Sequence, residues 1–379
     1  MKLKFRKSKA KAKALGFTFA SITNVEQSPH FNEFMDWLNK NQYGQLDFLH
    51  EKYVIDSRRE PSQLLDNAQS MIVLGVNYGP LPHQEHENPL RFGKIASYAQ
   101  FEDYHAIIKS KATALMDSIN SDRSQKIDSK IFIDSGPLME KDFAFAAGLG
   151  WIGKNSLLIH PVLGSFSFLC CIITNEMVGE IPNHCEDLCG DCQLCMQACP
   201  TKCISGDHTI NVSRCISYLT IEFKGIIPRD LRGQIGDWIF GCDVCQSVCP
   251  HNLNIPIPQS KLFFGAERIF DGNLDLCEEM ALSEKAFSIK YQGTPLIRAS
   301  YEQYQRNLII TAGNNHEHIF AEPLNNYLFF GSENLRAHAA WALGEIASED
   351  CINILQTQLE NEKSTFVKEE IEFALYNQR

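Results

Sequence analysis

The sequence contains no apolar run long enough to span a lipid bilayer. A transmembrane helix needs about 20 consecutive apolar residues, whereas the longest apolar run, 166–174, suits a buried strand. Residues 1–9 are basic and free of acids, but they lack the apolar core of a secretory signal peptide. We interpret them as part of a solvated first helix, although transit peptides have a similar composition. No membrane span and no export are therefore expected.

Positive charge is also scarce. The formal net charge of −11 at pH 7 argues against a broadly basic nucleic-acid binder but leaves room for a local basic patch. The phosphate-binding signatures G-x-x-x-x-G-K-[ST] and G-x-G-x-x-G are absent from the glycine-rich stretch 148–155. That stretch therefore predicts neither an ATP site nor a dinucleotide site. It is either a loop that approaches a large ligand or a structural turn.

Cysteine, in contrast, is abundant, with 14 residues in a chain of 379. The chain is long for a disulfide-stapled secreted domain, and eight of its cysteines form a separate pattern. The others are interpreted mostly as core residues, and a reducing, cytoplasmic environment is expected. They are Cys170, Cys171, Cys185, Cys203, Cys277 and Cys351.

The spacing of the remaining cysteines is the most specific signal in the sequence. The run 189–200 has the pattern C-x2-C-x2-C-x3-C-P of bacterial two-cluster ferredoxins, and 242–250 repeats it as C-x2-C-x3-C-P. A single Cys215 lies between the two runs. Zinc also accepts C-x2-C pairs, but it rarely uses two interleaved runs that each end in Cys-Pro. We therefore predict two 4Fe-4S clusters.

Each cubane needs four thiolates, and the fourth cysteine of a run turns to the other cluster. This rule assigns one cluster to Cys189, Cys192, Cys195 and Cys249. It assigns the other to Cys199, Cys215, Cys242 and Cys245. Residues 216–241 are then an insertion within a ferredoxin core.

The order of predicted elements divides the chain into three parts. Alternating helices and strands predict an α+β or α/β domain over 1–178, followed by a ferredoxin-like module over 179–255. The remainder, 256–379, is predicted to be all-α. In this part a basic residue stands six positions before an alanine, and the pair recurs about every 30 residues. This spacing suits helical-pair repeats of the HEAT kind, and coincidence is the alternative. The pairs are Arg306 and Ala312, Arg336 and Ala342, and Lys368 and Ala374.

Asp134 is the strongest candidate for chemistry in the first part. A predicted strand over 130–134 delivers it to the turn 135–137, which is a usual place for an active-site carboxylate, although it could simply be an Asx-turn residue. The stretch 57–61 is predicted to be a charged turn, and 156–159 a strand.

Two other groups of polar residues were considered for ligand binding. Asp103 and His105 begin like the D-x-H-x-x-G box that ligates cobalamin through histidine, but Ile108 replaces the glycine, so His105 is interpreted as a helix-start residue. Residues Arg298, Arg306 and Asn307 follow a Thr-Pro turn. They could hold phosphate or lie on a solvated helix face.

Six segments together resemble the epoxyqueuosine reductase family, cobalamin-dependent iron–sulfur enzymes of tRNA queuosine synthesis. They span nearly the whole chain: IDSGPLME (133–140), AGLGWIGKN (147–155), CISYLTIE (215–222), IFGCDVC (239–245), GTPL (293–296) and LRAHAAWALG (335–344). The resemblance implies an oxidoreductase that reduces epoxyqueuosine to queuosine at the wobble position of tRNA anticodons. It also implies a base-off cobalamin in an N-terminal domain like that of reductive dehalogenases, with Asp134 as proton donor. The C-terminal repeats would bind the tRNA.

The resemblance further implies two sets of contacts. The cobalamin contacts would be Ser57, Arg58, Ser97, Asp134, Lys154, Asn155, Leu158, Cys170, Tyr218, Cys242 and Asp243. The tRNA contacts would be Glu222, Lys224, Gly225, Arg232, Thr294, Leu296 and Arg298. At Ser97 the family often has arginine, and at Phe101 it often has glycine, so this loop departs from the family pattern.

Two alternative functions remain open at this stage. The clusters alone fit an electron-transfer protein, with a structural Asp134, and the N-terminal likeness fits a reductive dehalogenase of small organohalides. The leading hypothesis adds a tRNA partner carrying epoxyqueuosine and a low-potential electron donor. We expect a monomer.

Overall fold

The structure, a computed structural model, describes residues 5–81, 86–121, 123–177, 181–255 and 269–376, with only the backbone of 5–7. These residues form two compact units that alternate along the chain. The first takes its residues from 1–81, 103–213 and 244–267, and the second from 82–102, 214–243 and 268–379. No helix within these described ranges combines the length and the apolar character needed to cross a membrane.

The described strands and helices are numbered along the chain. The strands are β1 Phe19–Asn24, β2 Ser70–Asn77, β3 Phe92–Ile95, β4 Ser129–Phe132, β5 Trp151–Ile152, β6 Leu158–Ile159, β7 Ser167–Thr174, β8 Trp238–Phe240 and β9 Asn273–Asp275. The helices of the N-terminal two thirds are α1 Phe5–Ala14, α2 Phe31–Asn39, α3 Lys52–Arg59, α4 Tyr104–Asn120, α5 Glu140–Ala146, α6 Leu194–Ala198, α7 Ile216–Ile221, α8 Arg229–Ile235 and α9 Val244–Ser247. The C-terminal helices are α10 Leu276–Met280, α11 Glu284–Lys290, α12 Tyr301–Asn315, α13 Ala321–Phe330, α14 Glu333–Ile346, α15 Glu349–Asn361 and α16 Thr365–Tyr376.

A four-stranded antiparallel sheet forms the centre of the first unit. Its order is β1-β2-β7-β4, and β2 and β7 pair over their full lengths. Both central strands are apolar and β-branched, and every residue of β2 is buried. Of the two architectures predicted for this part, the antiparallel pairing is that of an α+β domain.

The second unit contains a small three-stranded sheet and the C-terminal helices. The sheet order is β8-β3-β9, with β3 parallel to β8 and antiparallel to β9. Helix α12 begins at a capping box in which Ser300 and Gln303 bond reciprocally. Serine caps at Ser332 and Ser348 also start α14 and α15. The sequence therefore marks the helix starts by residue type.

Helices α12, α14 and α16 pack in succession, and α13 and α15 pack beside α14. Very small residues lie where these helices contact one another. At Gly313 no larger residue fits, because a Cβ there would lie 2.9 Å from Ala342 Cα. A Cβ on Gly344 would likewise lie 2.7 Å from Ala374 Cβ. The alanines of the predicted repeat thus lie where neighbouring helices approach most closely. The kinship with HEAT repeats stays a prediction.

The compact units do not follow the order of the three predicted domains, since 214–243 packs in the second unit with the C-terminal helices. The predicted boundaries at 178/179 and 255/256 fall at the edges of ranges outside the described residues. The three-part functional division therefore stays a prediction.

Three predictions are wrong. The prediction that 256–379 is all-α fails at residues 273–275, because their backbone pairs antiparallel with β3 and forms strand β9. The charged turn at 57–61 is instead the end of α3, which continues to Arg59 because Arg58 and Arg59 lie over the rings of Phe34 and Phe31. Pro61 then ends the helix, since the residue before proline disfavours helical geometry. The strand predicted at 156–159 shrinks to β6, because Ser156 has a φ of +61°.

Candidate active site

A cavity of about 980 Å³ lies in the first unit, with Asp134 among its lining residues. Its volume is at the upper end of the range for small-molecule sites, and such sites are mostly apolar with a few polar groups. The aromatic side chains of the lining are Phe34, Trp37, Phe48, Tyr104, Phe145, Trp151 and Phe168. The cavity is therefore suited to a large, largely apolar ligand.

Asp134 lies just beyond the end of β4 in left-handed backbone geometry, with a φ of +53°. Non-glycine residues rarely adopt this geometry, and in ordered structures it often marks a functional position. The hydroxyl of Tyr104 donates a hydrogen bond to Asp134 Oδ2 over 2.6 Å. His105 Nε2 lies 3.8 Å from the same oxygen. Helix α4 therefore presents a phenol and an imidazole to the predicted proton donor.

The start of α4 explains how these two side chains are fixed. Asp103 caps the helix by accepting hydrogen bonds from the backbone N–H of His105 and from its Nδ1. The interpretation of His105 as a helix-start residue is thereby confirmed. The Tyr104 ring stacks on Phe168, with centroids 4.1 Å apart. The phenol is thus held by packing as well as by hydrogen bonding.

Glu140, the first residue of α5, is a second acid that lines the cavity. Burial raises the pKa of Glu140 to about 7, and the charge of Asp134 acts in the same direction. Its Oε1 is buried and has no hydrogen-bond partner among the described residues. The carboxylic acids Asp134 and Glu140 therefore both line this cavity.

The predicted cobalamin contacts of the first unit fall into two groups. Arg58 and Asp134 line the cavity, and Arg58 Nε donates to the carbonyl of Pro137 over 3.1 Å. Burial lowers the pKa of Arg58. The other predicted contacts of this unit are Ser57, Lys154, Asn155, Leu158 and Cys170, and they are not among the cavity-lining residues.

Lys154 contacts the first cysteine run, and its predicted contact with cobalamin stays a prediction. Its Nζ donates to the backbone carbonyls of Gly190 and Cys192, over 2.6 and 3.0 Å. The glycine-rich loop that carries it also packs tightly, because a Cβ on Gly150 would lie 2.1 Å from the carbonyl oxygen of Ile159. The loop therefore contacts the first cysteine run through Lys154 and also contributes Trp151 and Ile152 to the cavity lining, so both of its predicted roles stay open.

The remaining predicted cobalamin contacts belong to the second unit. Here the backbone N–H of Ser97 donates to Asp243 Oδ2 over 2.7 Å, and both residues are buried. Tyr218 is buried in α7, and Cys242 is partly buried. Ser97 thus uses its backbone to hold Asp243.

The structure brings together the predicted ligands of the first cluster. Cys189 and Cys249 pack with Trp151 in one apolar cluster, and Trp151 Nε1 donates to Cys189 Sγ over 3.4 Å. Burial raises the pKa of Cys249, and the nearby thiols of Cys189, Cys195 and Cys192 add to the effect. A cubane needs four thiolates, and the assignment of these four to one cluster stays a prediction.

The predicted ligands of the second cluster are divided between the units. Cys199 and Cys245 lie in the first unit, and Cys215 and Cys242 in the second, so this set stays a prediction from spacing. Cys199 Sγ also lies 3.5 Å from Sγ of Cys203, a cysteine predicted to be a core residue and found buried.

Four of the predicted tRNA contacts are exposed: Glu222, Lys224, Gly225 and Arg298. Arg298 lies 3.8 Å from Glu222, so the structure brings the two segments together. The other three, Arg232, Thr294 and Leu296, are buried. Their predicted place at an RNA surface is wrong for the side chains.

Arg232 and Arg306 hold backbone and carboxylate groups in the interior. Arg232 donates to both carboxylate oxygens of Glu370, over 2.9 and 3.0 Å. Arg306 donates to the carbonyls of Leu219, Phe223 and Gly225, at 2.7, 2.9 and 2.9 Å. The phosphate-binding alternative for Arg306 is therefore wrong, and its cation instead supports the exposed loop 222–225.

Tyr104 and Glu140 are the cavity residues that sequence reasoning missed. Both lay inside stretches that were already of interest, since Tyr104 separates Asp103 from His105 and Glu140 closes the segment IDSGPLME. Spacing alone could not show that they face Asp134.

Two family profiles match the chain. The profile described as "4Fe-4S double cluster binding domain" matches residues 188–252, and "Epoxyqueuosine reductase QueG, DUF1730" matches residues 58–135. The first match confirms that the cysteine pattern is that of a two-cluster 4Fe-4S segment. It favours iron–sulfur clusters over the zinc alternative for this pattern.

Whole-length comparisons agree with the profiles. Epoxyqueuosine reductase from Cyclobacterium marinum is 37% identical over 306 residues, covering 79% of this chain and 94% of the relative. A crystal structure of epoxyqueuosine reductase with a tRNA-Tyr epoxyqueuosine-modified stem loop is similar with a TM-score of 0.86, 27% identity and 98% coverage of both chains. The Bacillus subtilis enzyme, with an aspartate-bearing catalytic loop swung out of the active site, gives a TM-score of 0.85, 27% identity and 98% coverage of both chains.

Proposed function

The chain belongs to the epoxyqueuosine reductase family, and from this we propose that it reduces epoxyqueuosine to queuosine at the wobble position of tRNA anticodons. The family is one of oxidoreductases, and the double-cluster segment supplies a path for single electrons. Base-off cobalamin is the proposed site of reduction, and Asp134 is the proposed proton donor. The alternatives of a plain electron carrier and of an organohalide reductase have no comparable support.

The observation that carries this proposal is the position of Asp134. Its carboxyl group lines the cavity and is oriented by the Tyr104 hydroxyl at 2.6 Å. Opening an epoxide produces an alkoxide, a strong base that needs an acid within hydrogen-bond reach. The related Bacillus subtilis structure, with its aspartate-bearing catalytic loop, supports the same role here.

The residues of the cavity fit a corrin cofactor. The volume of about 980 Å³ and the aromatic lining suit a large apolar macrocycle. When bound, cobalamin supplies a strongly reducing, nucleophilic cobalt centre. Arg58 and Asp134 would contact it from the cavity wall, and Leu158 and Cys170 stay proposed contacts. The Cys170 thiol is buried, and burial raises its pKa, so it would contact the cofactor as a neutral thiol.

The clusters are proposed to pass electrons inward from a low-potential donor. The ligand sets are the two predicted from spacing, and Lys154 would hold the first cysteine run through the carbonyls of Gly190 and Cys192. Hydrogen bonds near cluster sulfurs tune cluster potentials, so the Trp151 N–H on Cys189 would adjust the first cluster.

The second unit is proposed to bind the tRNA. Its proposed contact surface consists of the exposed residues Glu222, Lys224, Gly225 and Arg298. The buried Arg306 holds the loop 222–225 by donating hydrogen bonds to the carbonyls of Phe223 and Gly225. Burial lowers the pKa of Arg306 to about 10, so it stays cationic at neutral pH. The C-terminal helices, proposed to be HEAT-like repeats, would support the anticodon stem. A flipped wobble base is a reasonable substrate, since single unstacked bases are the usual targets of RNA-modifying enzymes.

The proposed setting is a monomer in the cytoplasm. A reducing compartment keeps the 14 cysteines available for cluster assembly. Binding of RNA to a local surface of this acidic protein should weaken steeply with salt.

An anaerobic assay tests the function directly. The protein with both clusters, cobalamin and a low-potential reductant is mixed with tRNA carrying epoxyqueuosine, and the nucleosides are analysed by mass. Loss of one oxygen that depends on cobalamin is the expected result. No loss, with clusters and cobalamin shown to be bound, would contradict the proposal and favour electron transfer or dehalogenation.

A further inference from the structure

The proposed reaction consumes two protons, whereas Asp134 supplies one at a time. Removing the epoxide oxygen breaks two C–O bonds, forms a C=C bond and releases water. The balance is epoxide plus two electrons plus two protons, giving alkene plus water. The electrons come from the low-potential donor through the clusters. The first proton quenches the alkoxide, and the second lets the resulting hydroxyl leave as water.

We infer that Glu140 supplies the second of these protons and acts beside Asp134 as a catalytic acid. The inference rests on the proposed function. Both carboxyl groups line the same cavity, and Glu140 is fixed there because it begins α5. Its Oε1 is shielded from solvent and has no hydrogen-bond partner among the described residues, which is costly for a carboxylate and favours the protonated acid.

The other acids that line the cavity are already engaged or exposed. Asp142 accepts from Ser28 and from His30. Asp187 lies 3.6 Å from His208. Asp207 accepts from Thr209 and Glu33 is exposed, which leaves Glu140 as the cavity acid with a shielded, unpartnered oxygen.

The surroundings of Glu140 as a whole favour the protonated, neutral form of its carboxyl group. Burial raises its pKa to about 7, and the Asp134 carboxylate adds to this, while Arg58 and Lys141 act against it. These two cations are directed elsewhere, since Arg58 Nε donates to the Pro137 carbonyl and Lys141 Nζ to the Ser156 carbonyl. A substantial fraction of Glu140 therefore carries a proton at neutral pH.

Strand β7 contributes the other titratable groups that interact electrostatically with Glu140. These are the Cys170 and Cys171 thiols, and burial raises the pKa of both, with Glu140 acting in the same direction. Both thiols are therefore neutral at the pH of the reaction. They neither compete for the Glu140 proton nor stabilise its charge.

The chemistry assigns the two acids to successive bond cleavages. Asp134, held by the Tyr104 hydroxyl, protonates the oxygen released by the first C–O cleavage. Glu140 then protonates the hydroxyl as the second C–O bond breaks, and water leaves. Each acid thus contributes one of the two protons that leave with the released oxygen as water.

The test compares Glu140→Gln and Glu140→Asp with the wild type in anaerobic single turnover across pH 5.5 to 9. Glutamine preserves size and cannot donate an acidic proton. We expect Glu140→Gln to lose about tenfold or more of the rate at pH 7 and to lose the decline above about pH 7. Glu140→Asp should keep that decline. Glu51→Gln removes an exposed carboxylate that is not among the cavity-lining residues and should leave the profile unchanged.

A second readout does not depend on turnover. Infrared difference spectra of the wild type should show a protonated carboxyl band that disappears near pH 7 and is missing in Glu140→Gln. A wild-type rate and pH profile in folded Glu140→Gln would overturn the inference, as would absence of the band. If the wild type itself makes no queuosine, the proposed function fails instead, which keeps the two failures distinct.

Discussion

The Tyr104 hydroxyl donates a hydrogen bond to Oδ2 of Asp134 over 2.6 Å, and the two residues differ sharply in burial. Tyr104 is 6% exposed and stacked on Phe168, whereas the Asp134 side chain is 57% exposed. A rigid, packed phenol thus sets the direction of an acid whose backbone is in left-handed geometry. The proton donor is oriented by a neighbouring helix and not by its own loop alone.

Replacing Tyr104 by phenylalanine should slow the reaction without loss of the fold. The ring can still stack on Phe168, but Asp134 loses the hydrogen bond that orients its carboxyl group for proton transfer. We expect the single-turnover rate to fall by about tenfold or more, with tRNA affinity unchanged. Tyr53→Phe removes an exposed hydroxyl and serves as the control. An unchanged rate in Tyr104→Phe would show that the hydrogen bond has no part in catalysis.

Glu140→Gln should alter stability in a pH-dependent manner. The pKa of Glu140 is raised to about 7 by burial, so the folded state binds its proton more tightly than the unfolded state does. Stability is therefore lost as pH rises from about 4.5 through about 7. The variant avoids this loss and should be more stable than the wild type at pH 8, by at most about 3 kcal/mol. Denaturant midpoints at pH 4.5 and 8 measure the effect, and an equal difference at both would contradict it.

Glu370→Gln should destabilise the second unit. Arg232 and Glu370 are both buried and share two hydrogen bonds, and Arg229 Nε lies 3.0 Å from the same carboxylate. Removing one partner of a buried ion pair costs about 3–5 kcal/mol. Glu369→Gln, at the exposed neighbouring position, should cost less than about 0.5 kcal/mol. Equal denaturation midpoints for the two variants would contradict a stabilising role for the pair.

The ion pair should also affect tRNA binding. The segment held by Arg232 follows directly on the exposed loop that carries Lys224 and Gly225, and His338 accepts a hydrogen bond from the Ile227 N–H in the same segment. Loosening this segment should therefore weaken tRNA binding in Glu370→Gln and not in Glu369→Gln. Equal affinities of the two variants for the modified stem loop would show that the ion pair between Arg232 and Glu370 contributes to stability and not to tRNA binding.

Cysteine substitutions distinguish a predicted ligand from its buried neighbour. Cys199 is assigned to the second cluster, and Cys203 Sγ lies 3.5 Å from it without being assigned to either. Anaerobically purified Cys199→Ala should contain about half the iron of the wild type, because one cubane of two lacks a thiolate. Cys203→Ala should keep full iron and sulfide content. The reverse pattern would show that Cys203 is the ligand.

The sequence specified those features that depend on residue type and spacing. The two-cluster cysteine pattern, the buried strand β2 and the helix-start role of His105 were all predicted from local rules. Asp134 was singled out from its place after a strand. These signals lie within short segments, where the physical cause is also local.

Long-range pairing accounts for the features that were missed. Arg306 looked like a surface cation beside a Thr-Pro turn, but it is buried because the carbonyls of 219–225 satisfy its donors. Arg232 looked like an RNA contact until Glu370, far away in the chain, was found to pair with it. The burial of a charged side chain depends on a partner that spacing does not reveal. Tyr104 likewise lies 30 residues from Asp134 in the chain and contacts it only in the fold.

Single-turnover reduction by Asp134→Asn tests the central claim most directly. The variant and the wild type are loaded with clusters and cobalamin, mixed anaerobically with tRNA carrying epoxyqueuosine, and sampled for nucleoside mass. The wild type should convert epoxyqueuosine to queuosine with loss of one oxygen. The variant should bind the same tRNA but react at least about 100-fold more slowly, because asparagine cannot donate the acidic proton. Conversion at the wild-type rate would contradict the assignment of Asp134 as the proton donor.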